Sequence, residues 1–230
     1  MKHLDKLADR HRARSLWRWL ALWVLLIGLF ASCAAHAQVP AAAARYRAEL
    51  TRAAHSQWGL NAPVAVLAAQ VHQESTWNPQ AVSQVGARGL AQFMPGTTTW
   101  WCGRTGAGAA DCLPNNPAWA LRALVGYDKY LHDLTPVRYS ERDRMWVALR
   151  GYNGGLGHWQ AEEKIAEASL RQAELLLQAR RGDSHPNREA IDAACGRARR
   201  HISHCAENLG YPQRIMTVLQ PRYASWGRGL

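Results

Sequence analysis

The chain has 230 residues and a formal net charge of +11, from 28 Lys and Arg against 17 Asp and Glu. Apolar residues make up 48% and charged residues 20%, an ordinary globular balance that excludes disorder as the main state. A single stretch is long and apolar enough to consider as a membrane segment, which excludes a multi-span membrane protein. Trp is abundant, with 11 residues, and Phe is scarce, with two. Indole faces fill cores or stack on flat ligands.

The first 18 residues carry Lys2, Lys6, Arg10, Arg12, Arg14 and Arg18 against Asp5 and Asp9. An uncharged run from Trp19 to Ala35 follows, then Ala35-His36-Ala37. That order predicts a secretory signal peptide over residues 1–37, cleaved after Ala37. Its apolar centre, Trp19 to Phe30, is shorter than the ~20 residues of a spanning helix. A retained anchor is the alternative and would give membrane association through the N-terminus. Ala31-Ser32-Cys33 also resembles a lipoprotein cleavage site, with Phe30 where Leu is usual. The expected location is periplasmic or at the cell envelope.

Removing the leader takes away Cys33 and leaves Cys102, Cys112, Cys195 and Cys205. An even count in an exported chain reads as disulfides. Both local pairs are ten residues apart, which favours Cys102–Cys112 and Cys195–Cys205. Zinc is the rival, because His201 and His204 lie close to Cys205. A Cys-x9-Cys spacing is not a usual zinc motif, so no metal and no cofactor are expected. Beyond residue 37, 22 Lys and Arg face 15 Asp and Glu. A basic exported chain suits an anionic polymer or a membrane surface. No motif supports nucleic acid as the partner.

The elements follow in chain order. Val39 to Trp58 is Ala-rich, with Tyr46, Leu50 and Trp58 on one face, and predicts one helix stopped by Gly59. Asn61 is the expected cap of the next helix, with Pro63 in its first turn. That helix carries Val64, Leu67, Ala68 and Val71 on one face and reaches about Glu74, with Asn78-Pro79 ending it. Ser83 to Thr99 reads as loop plus short helix, broken by Pro95. Gly103 to Asn116 reads as turns. Further helices are expected over Pro117–Leu134, Ser140–Tyr152, Ala161–Arg181, Asn187–Asn208 and Pro212–Ser225. No stretch alternates convincingly with period two, so the class is all-α.

The informative segment is residues 70–95. Glu74 sits in the last turn of an apolar helix, where the helix dipole disfavours a carboxylate. Its helical neighbours Gln70 and Val71 are uncharged. Both effects raise its proton affinity, as a general acid at neutral pH requires. An ordinary solvated glutamate at a helix end is the alternative. His72-Gln73-Glu74 also has the H-x-E pattern of zinc deaminases, but the Pro-Cys-x-x-Cys that pattern needs is missing.

Glu74-Ser75, then Asn78-Pro79, Ala81-Val82-Ser83, Gly86-Ala87 and Gly89-Leu90-Ala91-Gln92-Phe93-Met94-Pro95 together resemble the soluble lytic transglycosylase family of peptidoglycan enzymes. Gly151-Tyr152-Asn153-Gly154-Gly155 is similar to that family's third motif. Ala91 stands where Met is frequent in the family, and Gly151 where Ala is. The resemblance covers roughly residues 58–160. It implies a lysozyme-like, goose-type helical catalytic domain over 38–160, with a C-terminal helical extension over 161–230. It implies peptidoglycan glycan strands as partner and cleavage of the bond between N-acetylmuramic acid and N-acetylglucosamine, leaving a 1,6-anhydro end. Glu74 matches the family's single catalytic acid and base. By the same match Ser75 and Ser83 would bond near the acid or the sugar, and Gln92 would face the groove. Gly86 and Gly89 would let backbone approach a sugar. Tyr152 would place its hydroxyl near Glu74, and Asn153 would bond substrate or brace the loop. The alternatives are a hydrolase resembling goose-type lysozymes and a wall-binding protein with an idle site. Trp77, Trp100, Trp101 and Trp159 are candidates for sugar stacking, one or two of them being expected to serve and the rest to be core.

Overall fold

The computed structural model describes residues 39–177, 188–195 and 205–230. The expected signal peptide, His201 and His204 lie outside them. Among the described residues the structure is helical and contains no strand, only isolated bridges joining Val82 to Arg88 and Arg88 to Phe93.

The segment expected as one helix over 39–58 is two: α1 (Ala41–Ala44) and α2 (Arg47–Trp58). The break falls beside Tyr46, whose ring stacks on Trp77 with centroids 6.1 Å apart. Gly59 ends α2 at φ 73°, a left-handed conformation that glycine adopts without strain.

Helix α3 (Val64–Ser75) is the central element. All eight residues from Val64 to Val71 are buried, so it is apolar on every face there, as a core helix is. Asn61 does not cap it; Pro63 holds the N-cap position and no side chain bonds there. The helix also ends before Asn78-Pro79, because Thr76 and Trp77 both turn to positive φ, 50° and 65°. Such backbone costs of order 1–3 kcal/mol per residue. It drops Trp77 into the core at 1% exposure, where its Nε1 donates to the Tyr223 hydroxyl at 2.7 Å.

Pro95 opens a helix rather than breaking one. In α4 (Pro95–Thr105) it takes the first turn, where its missing N–H is not needed. Gly103 lies inside α4, and Gly106 ends it at φ 71°. Helices α5 (Pro117–Leu134) and α6 (Glu141–Gly154) are capped by Asn116 and Ser140, whose side chains accept from Trp119 N and Asp143 N. They pack on each other, and α5 also packs on α2.

Helix α7 (Leu156–Leu177) begins five residues before the expected Ala161. Helix α8 (Arg188–Ala193) stops well short of the expected Asn208, and Ala194 and Cys195 leave the helical path in a turn. Helix α9 (Cys205–Gln213) contains Pro212, which had been expected to start the last helix. Proline removes a ladder donor and crowds the preceding turn. The backbone beyond it widens to a π-turn over Arg214–Leu219 and then tightens over Gln220–Trp226. These two segments pack along α3, and Ala65 N donates to Arg228 O at 3.1 Å.

Candidate active site

Glu74 projects from the last turn of α3 and is part-buried. The Tyr211 hydroxyl, on α9, donates to its Oε1. Burial pushes the Glu74 pKa up from 4.5 to about 7, and the Tyr211 bond opposes that rise. A carboxyl that shares its proton near neutral pH can give one up and take one back. The acid reading of Glu74 therefore has a structural basis, and burial outweighs every other cause.

Around it stand Tyr152 on α6 and Asp128 on α5. Burial lifts the Tyr152 phenol well above the ordinary tyrosine value, with the nearby Glu74 charge the second cause. Burial likewise lifts Tyr211, again with Glu74 second. Both phenols therefore stay neutral donors. Asp128 is buried too, and its carboxyl is raised well above the usual carboxylate range, first by burial.

The remaining motif residues fasten the loop that follows α3. Ser75 Oγ donates to Leu90 O at 3.0 Å, which ties the end of α3 to the Gly89–Pro95 turn. Ser83 Oγ accepts from Ala87 N at 3.0 Å. Gln92, at φ 47°, commits its amide nitrogen to its own loop. Its Nε2 donates to Gly89 O at 3.0 Å and Ala81 O at 3.2 Å. The Tyr152 hydroxyl, expected near Glu74, is close enough to feel its charge and donates to Ala91 O at 2.6 Å. The hydroxyl that reaches Glu74 is that of Tyr211. Asn153 Nδ2 donates to Asn208 Oδ1 at 2.8 Å and so braces α9. Gly89, at φ 74°, lacks a Cβ because one would sit 1.8 Å from Pro114 O, whereas a Cβ on Gly86 would meet nothing within 4 Å. The smallness of Gly89 lets its turn pack against the backbone at Pro114.

An open pocket of about 330 Å³ is lined by Gly96, Thr97, Trp100, Tyr127, Tyr130, Leu131 and Leu156. Tyr127 packs against Tyr152 with centroids 5.4 Å apart, which joins this pocket to the aromatic cluster by Glu74. Trp77, Trp101 and Trp159 are buried, while Trp100 is 45% exposed. Arg104 lies over Tyr130 at 4.1 Å and Trp100 at 5.8 Å. Trp100 is thus the one of the four candidate indoles with a face for a ligand.

Cys102–Cys112 and Cys195–Cys205 are both disulfides, with Cα atoms 6.1 and 5.8 Å apart. Sulfurs joined to each other offer no thiolate for zinc. Glu162, beside the second pair, is engaged by Arg150 at 2.5 Å.

Tyr211 was not found from sequence, because it lies in the stretch beyond the matched motifs. The placement of Asp128 beneath Glu74 was also missed. Gln70 and Glu74 stand one helical turn apart, and Asp128 bonds Gln70, but nothing in the spacing of α5 points to α3.

The transglycosylase SLT domain family matches residues 49–174, and the chain belongs to that family. It is similar to membrane-bound lytic murein transglycosylase F of Alcanivorax borkumensis, with 38% identity over 93 residues, or 40% of this chain and 18% of that one. The protein of the same name from Ectopseudomonas mendocina is 32% identical over 127 residues, or 54% of this chain and 23% of the other. The chain therefore spans less than a quarter of either relative's length. Its fold is similar to an inactive mutant of lytic transglycosylase Slt from Pseudomonas aeruginosa, with a TM-score of 0.54 and 19% identity over 80% of this chain and 25% of that one.

Proposed function

We propose, from its membership of the transglycosylase SLT domain family, that the chain is a peptidoglycan lytic transglycosylase of the cell envelope. Glu74 carries the reading: a part-buried carboxyl held by Tyr211 with a pKa of about 7. In its neutral form Glu74 protonates the glycosidic oxygen between muramic acid and glucosamine. As carboxylate it then takes the proton of the muramyl 6-hydroxyl, whose oxygen attacks the anomeric carbon. Tyr211 donates to the carboxylate formed between the two steps. The substrate's own N-acetyl group steadies the oxocarbenium charge, so one carboxylate suffices. Trp100 stacks on the glycan, and Ser75, Ser83, Gln92 and Tyr152 hold the loop that walls the site. Asn153 holds α9, and with it Tyr211.

Most glycosidases use two carboxylates. Asp128 is the acid coupled to Glu74, and it is fully buried, away from substrate and water. The tethered hydroxyl competes well without a base for water, since intramolecular attack reaches effective molarities of about 10⁵ M or more. Mass analysis of digested glycan strands tests this. The expected new ends are 1,6-anhydro-muramic acid, lighter by one water than reducing ends. Reducing muramic acid ends would establish a hydrolase instead.

A further inference from the structure

Gln70 and Asp128 are both 0% exposed. Gln70 lies four residues before Glu74 on α3, and Asp128 comes from α5. Gln70 Nε2 donates to Asp128 Oδ1 at 3.3 Å. The other atom of each group, Gln70 Oε1 and Asp128 Oδ2, is buried without a hydrogen-bond partner. Each unmet buried polar group costs about 1–3 kcal/mol, and a buried charge without a counter-ion costs more.

The titratable groups coupled to Asp128 give no relief. They are Glu74 from α3, Tyr127 from α5 itself, Tyr152 from α6 and Tyr211 from α9. All are acids, and none brings positive charge. A single proton on Asp128 Oδ2 removes the buried charge and supplies the missing donor. The new O–H donates to Gln70 Oε1, which closes a ring of two hydrogen bonds between acid and amide. Both orphan atoms are then paired and no charge is buried.

We propose that Asp128 is a neutral carboxylic acid paired head to head with the Gln70 amide, and that it is a positioning residue for Glu74. The pair pins the face of α3 one turn below the acid. It also keeps a second negative charge out of the site. A charged Asp128 would repel the carboxylate that Glu74 becomes and hinder its turn as acid. The functional half of this inference rests on Glu74 being the acid and base.

Infrared difference spectra test the protonation state directly. They compare the protein carrying Glu74→Gln with the same protein carrying Asp128→Asn as well, so that the other half-neutral carboxyl is absent. The first should show the carbonyl stretch of a neutral carboxylic acid at neutral pH, and the second should lose it. An ionised carboxylate signal in its place overturns the proposal. Thermal melting gives a second reading. An acid whose folded pKa is raised destabilises the fold increasingly as pH climbs above its unfolded value of about 3.9. Asp128→Asn cannot titrate, so its melting temperature should gain on the parent's as pH climbs above about 4; a flat difference overturns the proposal.

Activity tests the positioning role. Asp128→Ala should lower kcat about tenfold or more with little change in KM. Asp128→Asn supplies an amide N–H where the acid supplied O–H, and should restore most of that loss. An Asn variant as impaired as the Ala variant would mean that Asp128 works as an ionised carboxylate. If the Ala variant does not fold, the spectra and melting still decide. If the protein cleaves no glycan, those two readouts stand by themselves, so failure of the catalytic reading is separate from failure of the acid–amide pair.

Discussion

The Tyr211 hydroxyl donates to Glu74 Oε1 across 137 positions of sequence. This bond makes the C-terminal extension part of the site. Helix α9, which carries Tyr211, is held by Asn153 through Asn208 and tied at its first residue by the Cys195–Cys205 disulfide. The approach is close: a Cβ on Gly154 would lie 2.3 Å from the Asn208 side chain. The absence of a side chain at Gly154 therefore lets α9 come close.

Glu74→Gln should reduce glycan cleavage by about 10²–10⁴-fold and leave the fold intact. It should also change stability with pH. The folded pKa of about 7 lies above the ordinary value of 4.5, so the native state binds its proton more tightly than the unfolded chain does. Wild-type stability thus falls as pH rises through that window. The Gln variant should match wild type below it and exceed it above, by a few kcal/mol at most. Cleavage within threefold of wild type on purified peptidoglycan would remove Glu74 from the mechanism.

Tyr211→Phe removes a donor that favours the ionised form of Glu74. The pKa of Glu74 should therefore rise. The descending limb of the pH–rate profile should move to higher pH, and the plateau kcat should fall because the carboxylate formed between the two steps loses its donor. A profile that stays in place or moves down would show that the bond does not serve the acid.

Gly89→Ala should destabilise the protein by about 3 kcal/mol or more, because a Cβ would both strain the backbone and strike a carbonyl that cannot move away freely. The contact is Pro114 O at 1.8 Å. Gly86→Ala has the same sign of φ, at 89°, but open space around it, and should cost less. Paired denaturant melts compare the two; equal losses would rule out the Pro114 contact as the cause.

Trp100→Ala should weaken glycan binding by about 0.5–1.5 kcal/mol, the worth of an aromatic stacking contact beyond its area. The change should appear in KM, with a modest fall in melting temperature, since the ring is 45% exposed but also packs on Trp101, Tyr127 and Tyr130. A fall in kcat at constant KM would place Trp100 outside the binding groove.

Replacing Cys102 and Cys112 together by Ser should lower stability by about 3 kcal/mol or less, given the small loop closed. Their bond links the α4 helix to the turn after Ala109–Asp111. Peptide mapping without reductant should recover the Cys102–Cys112 and Cys195–Cys205 peptides as joined pairs; free thiols at these four positions would contradict the bonds.

Much of the molecule was legible in the sequence because it depends on near neighbours. Helical periodicity placed α5 and α6 to within two residues, since an apolar stripe and a capping side chain are local signals. Glu74 stands out as the candidate acid from its motif and its place at the end of an apolar helix, and the cysteine pairs from spacing and parity. Helix ends were less legible. Thr76 and Trp77 take costly left-handed backbone so that Trp77 can reach Tyr223, and Pro95 opens a helix that propensity alone would have broken. The tertiary structure alone decided which hydroxyl meets Glu74. Tyr152 and Tyr211 are both tyrosines near it, yet one bonds Ala91 O and the other the carboxyl. It alone turned Gln92 into its own loop and set Gln70 against Asp128 in the buried floor. Propensity and motif act within a few residues of chain. Burial, and the hydrogen bonds that burial demands, are set by segments that meet only when the chain has folded.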